Sequence, residues 1–75
     1  MITEIGIVAG EIWHALDQQG EQTFQALCTV LGRPREIVLM SVGWLCREGH
    51  VQLVQQGEDY HVSLARPSGA QHGAG

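Results

Sequence analysis

The stretch Thr23–Val51, TFQALCTVLGRPREIVLMSVGWLCREGHV, decides the fold, because two amphipathic helices and a tight turn can be read from it in order. Thr23 is suited to cap a helix starting at about Phe24, since its hydroxyl oxygen can accept an N–H that the first turn leaves unpaired. That helix runs to about Leu31 and stops at Gly32, the residue type favoured just past a helix end. Ala26 or Leu27, with Val30 and Leu31, supply its buried side. "GRP" then turns the chain, and Pro34 opens the next helix at its first position, where a missing N–H costs nothing. This helix extends to Arg47 or Glu48 and ends at Gly49.

On a helical wheel the longer helix sorts its apolar residues into two arcs. Val38, Leu39, Val42, Leu45 and Cys46 form the arc expected to face the core. Ile37, Met40 and Trp44 form a second, leaving Arg35, Glu36, Ser41, Arg47 and Glu48 as the polar or charged positions. Trp44 therefore has two readings. Packed beneath a hairpin or against a first helix it is structural; exposed beside Met40 and Ile37 it marks a surface that docks a protein partner or a second copy of the chain.

Working outward toward the N-terminus, Ile5, Val8, Ala9, Ile12, Trp13 and Leu16 fall on one arc of a helix from about Thr3 to Gln19, with Glu4, Glu11, His14 and Gln18 opposite. Thr3 is its expected N-cap and Gly20 its stop. Gly6 and Gly10 each cost such a helix about 1 kcal/mol relative to Ala. Their spacing of four leaves a smooth strip beside Trp13, which either accommodates a neighbouring helix of the same chain or forms a subunit contact. Glu21–Thr23 can add one short edge strand.

Beyond Gly49 the period changes to two. Val51 and Leu53 alternate with Gln52, and Tyr60, Val62 and Leu64 alternate with His61 and Ser63, giving a β-hairpin around a four-residue loop, Gln56, Gly57, Glu58 and Asp59. Pairing Gln55 with Tyr60 sets Leu53 opposite Val62 and Val51 opposite Leu64, so the four apolar side chains share one surface. "RPSGAQHGAG", residues 66–75, has no periodicity and is expected to be a disordered tail, leaving one domain at residues 1–65.

The order helix, short strand, helix, tight turn, helix, hairpin is that of an α+β winged helix-turn-helix, three helices packed against a two- to three-stranded antiparallel sheet. The segment quoted above resembles a small bacterial and archaeal winged helix-turn-helix family with no assigned activity. That family is marked by a GWL-x-REG signature, carried here by Gly43, Trp44, Leu45, Arg47, Glu48 and Gly49. The resemblance implies the fold and brings no chemistry with it.

Composition narrows the partners. The 75 residues are 44% hydrophobic, enough for one modest core and too many for a disordered chain. Four Arg and no Lys stand against eight acidic residues, a formal net charge of −4. Basic groups supply most non-specific affinity for nucleic acid, so the charge disfavours DNA. The helix that would enter the major groove offers Met and Trp where base readout uses Arg, Lys, Asn or Gln. Glu58 and Asp59 occupy the wing tip, where they repel phosphate or serve only as a soluble turn.

Chemistry at a catalytic or metal centre is not signalled. Cys28 and Cys46 stand outside any zinc-ligand spacing and are expected to be buried reduced thiols. His50 and His61 lie about four residues apart along the hairpin, roughly 13 Å at strand rise, too far to share a metal. There is no phosphate loop, nucleophile elbow or paired-carboxylate motif, so no enzyme and no cofactor is expected. The apolar runs are too short for a membrane span and no signal peptide is visible, which points to the cytoplasm.

Two functions remain in view. The leading expectation is a non-enzymatic module for protein–protein interaction or self-association, with Gly6, Gly10, Ile37, Met40 and Trp44 as the candidate surface. The alternative is a DNA-binding transcriptional regulator using the helix at about 34–48 and the wing, with Arg33, Arg35, Ser41 and Arg47 as candidate contacts.

Overall fold

The structure, a computed structural model, describes residues 2–65. The expected tail at 66–75, including Arg66, lies outside the described residues. Six elements follow in order: α1 (Ile2–Gln19), β1 (Gln22–Thr23), α2 (Phe24–Leu31), α3 (Arg35–Arg47), β2 (Val51–Gln56) and β3 (Asp59–Leu64). The strands form one antiparallel sheet in the order β1-β3-β2, with the helices packed against it. This is the expected winged helix-turn-helix, with the short approach strand joining the wing as a third strand.

Local chemistry sets the element ends. Thr23 Oγ1 accepts the Ala26 N–H at 3.0 Å, the N-cap bond of α2. Pro34 stands one position earlier than expected, as the N-cap of α3, and its carbonyl accepts the N–H groups of Ile37 and Val38 at 3.0 and 3.1 Å. At the far end Gly49 takes a left-handed φ of 80° that most side chains resist, and His50 donates its N–H to Leu45 O at 2.9 Å. The chain is thereby swung from α3 directly into β2.

In the wing, Val51 pairs with Leu64, Leu53 with Val62 and Gln55 with Tyr60, the expected register. The loop is shorter than expected, because Gln56 also pairs with Asp59 and only Gly57 and Glu58 turn the chain. Gly57 has a φ of 64°. A left-handed residue at the first of two turn positions matches the twist of the flanking strands, and it lets the ladder close one pair further.

The core gathers Val8, Ile12 and Leu16 of α1, Phe24 and Leu27 of α2, Val38, Val42 and Leu45 of α3, and Val51 and Val62 of the sheet. In three places the burial differs from the wheel-based expectation. On α2, Phe24 is buried and Val30 exposed, because Phe24, Leu27 and Leu31 recur at helical spacing while Val30 sits off that stripe. On α1 the buried arc takes in Ala15 and leaves Trp13 42% exposed.

The third difference matters most. On α3 the buried stripe is Ile37, Val38, Ser41, Val42 and Leu45, so Ile37 is only 8% exposed and Leu39 is 52% exposed. Ser41 explains the rotation. Its hydroxyl is fully buried, donates to Ile37 O at 2.7 Å and lies 3.4 Å from Ile5 O of α1. Satisfied by backbone acceptors, a small polar residue sits in the α1–α3 contact without penalty.

Candidate recognition surface

The solvent face of α3 carries Glu36, Leu39, Met40, Gly43, Trp44 and Arg47. Leu39, Met40 and Trp44 are 52%, 41% and 48% exposed, so half of each large apolar side chain faces water on the helix that defines this fold. Trp44 also walls a shallow groove between α1 and α3, together with Gly6, Ala9, Gly10, Trp13, Leu45 and His50. The expectation that Trp44 is packed away beneath its neighbours is thus met on one side of the indole only.

Four of the five candidate interaction residues are surface residues on or beside this face: Gly6, Gly10, Met40 and Trp44. Ile37 is withdrawn from it, being part of the core. A Cβ added at Gly6 or Gly10 would meet nothing within 4 Å. The glycines therefore do not serve the close approach of another helix within the chain, and the strip they leave is open. Sequence reasoning missed Leu39 and Trp13. The signal for Leu39 was available in Glu36 and Arg47: eleven residues apart, three helical turns, they mark a solvent stripe on which Met40 and Gly43 also lie.

The candidate DNA contacts do not converge. Arg33 donates from Nε to Glu11 Oε1 at 3.0 Å and from Nη2 to Glu11 Oε2 at 2.6 Å, a bidentate pair tying the α2–α3 turn to α1. The hydrogen bond from Arg33 holds the Glu11 carboxyl below its usual range, and the carboxylate in turn raises the guanidinium. Ser41 is buried and cannot reach a base edge. Arg35 lies over the Phe24 ring, 4.8 Å from its centroid, beside a depression that Glu58, Asp59 and Tyr60 of the wing also line. Arg47 is exposed in the last turn of α3.

The remaining reactive groups are dispersed. Cys28 and Cys46 are free thiols, half-buried rather than fully buried, and burial pushes both above the ordinary thiol range. Among the described residues, no three His, Cys, Asp or Glu side chains are placed to hold a metal ion. His61 Nδ1 meets Glu21 Oε2 at 2.6 Å, pinning the approach to β1 against β3, while His50 lines the α1–α3 groove. No helix among the described residues is long and apolar enough to cross a membrane.

The surface is therefore an apolar helix face with a two-indole groove beside it, flanked by a wing with acids at its tip. No curated protein and no solved structure matches the chain. A family model does: with residues 1–64 matched, the chain belongs to the family described as "Winged helix-turn-helix domain (DUF2582)".

Proposed function

We propose that this domain is a non-catalytic recognition module that docks a protein surface, with the exposed face of α3 and the neighbouring strip of α1 as its contact. The half-exposure of Leu39, Met40 and Trp44 on the helix that would enter a major groove carries this reading. Apolar, aromatic and Met side chains are what the centres of protein interfaces are enriched in, whereas groove-entering helices present bidentate polar groups. Charge supports the same choice. Among the described residues, Arg33 is engaged by Glu11 and Arg35 shares its depression with the two wing acids, which leaves Arg47 facing solvent in the last turn of α3, next in sequence to Glu48. Two free thiols agree with a reducing compartment such as the cytoplasm.

Two measurements test the proposal together. A photo-crosslinking side chain at position 40 gives discrete protein adducts in cells, and Trp44→Gln diminishes them. In parallel, titrating a duplex DNA at low salt leaves the amide signals from Arg33 to Arg47 in place. Salt-sensitive shifts at Arg35, Gly43 and Arg47, together with crosslinks to DNA, would replace the proposal with the DNA-binding reading.

A further inference from the structure

The sheet has two edges of unlike character. β1 is an edge of two residues, too short to template anything. β2 is an edge of six, VQLVQQ, with no charged residue, no proline and an uninterrupted register against β3. Long edges are normally guarded by a charge, a proline, a bulge or a cover, since a row of unpaired N–H and C=O groups invites another strand. β2 has none of the first three, and its residues from Gln52 to Gln56 are all exposed.

The direction of its backbone groups follows from one hydrogen bond. Ala65 donates its N–H to His50 O at 2.9 Å, which continues the β2–β3 register by one pair and makes His50/Ala65 a hydrogen-bonded pair. Bonded and non-bonded pairs alternate along an antiparallel ladder. Gln52, Val54 and Gln56 therefore point their N–H and C=O toward β3, and Val51, Leu53 and Gln55 point theirs outward. β3 agrees: Val62, non-bonded to Leu53 on this count, turns its groups toward Gln22 of β1.

We infer that β2 pairs with β2 of a second copy, antiparallel about a two-fold axis through Leu53, joining two three-stranded sheets into one of six strands. Only residues whose groups point outward can form bonded pairs, and the register with greatest overlap sets Leu53 opposite Leu53 and Val51 opposite Gln55 in each direction. Three bonded pairs supply about six hydrogen bonds. The two Leu53 side chains, each 40% exposed in the monomer, meet across the axis on the face that carries Val62. A second copy is the favoured occupant because the overlapping segment is uncharged in a chain of net charge −4, so like charges do not confront each other along it. This interface is separate from the α1–α3 face and does not rest on the function proposed for it.

Amide exchange and sedimentation on the full chain test the inference. At high concentration the sedimenting mass doubles, and the amides of Leu53 and Gln55 exchange about tenfold or more slowly than in dilute solution, while Gln52 and Val54 are protected by β3 at every concentration. Leu53→Lys and Leu53→Glu each give a monomer, because like charges then face one another across the axis. An equimolar mixture of the two recovers the dimer through opposite charges. Gln55→Pro, which removes an outward N–H and spares those facing β3, also gives a monomer. A monomer at all concentrations overturns the inference. So does a dimer that persists in both Leu53 variants with the Leu53 and Gln55 amides unprotected, which would place self-association on another face.

Discussion

Replacing Gly6 and Gly10 with alanine should stabilise the isolated domain while weakening the docking proposed for it. Both glycines sit inside α1, neither has a positive φ, and an added Cβ finds open space at each. With no steric cost, what remains is helix propensity and the narrower unfolded ensemble, which together favour Ala over Gly by about 1 kcal/mol per exposed helical position. For the double variant the gain is about 2 kcal/mol. A domain of 60–100 residues gains about 4–8 °C in melting temperature per kcal/mol, so Tm should rise by about 10 °C. Thermal and urea denaturation followed by circular dichroism measures this, with the urea slope expected to stay constant. If either alanine left Tm unchanged or lowered it, the open strip beside Trp13 and Trp44 would not be what the geometry describes. If the gain appeared but crosslinking from position 40 were undiminished, the glycines would have no part in docking.

Three further outcomes follow from the same structure. Ser41→Ala should cost about 1 kcal/mol or less, since the Ile37 carbonyl keeps its helical N–H partner, whereas Ser41→Asp places a charge where exposure is nil and should prevent folding at neutral pH; urea denaturation distinguishes the two. Glu11 titrates below the ordinary carboxylate range when folded. Its contribution is therefore present above the unfolded value and is lost as pH falls through the lower folded one, so stability should decline on acidification, and Glu11→Gln should reduce that slope in melts recorded between about pH 6 and pH 3. Cys28 and Cys46, with thiols raised by burial, should react with a disulfide reagent at pH 7 more slowly than free cysteine, and urea should abolish the difference.

The candidate site was legible only in part. Met40, Trp44, Gly6 and Gly10 could be named because a Met and a Trp off the main apolar arc, and glycines inside a helix, break local rules that the rest of the chain obeys. Leu39 and Ile37 exchanged roles. A wheel drawn from residue type sends Ser41 to solvent, and with it the boundary of the buried arc moves round the helix. Arg33 counts as a free cation in the sequence, but Glu11, 22 positions away, holds the Nε/Nη2 edge of its guanidinium with both carboxylate oxygens. A partner at that separation has no local signature.

Element order, strand register and most helix ends are properties of short segments; the exceptions are Thr3, which lies inside α1 rather than capping it, and Pro34, which caps α3 rather than opening it. Thr23 caps α2, Gly49 ends α3, and a period of two around Gly57 allows one pairing that buries the hairpin's apolar side, so the sequence alone determines them. Which face of α3 is inside, which arginines are spent and which strand is left as an open edge depend on residues far apart in the chain. They were decided only when α1 closed over Ser41, Glu11 reached Arg33 and β1 took the far side of β3. The physical reason is the same in each case. A polar group's place is set by the partner that satisfies it, and that partner is chosen by packing.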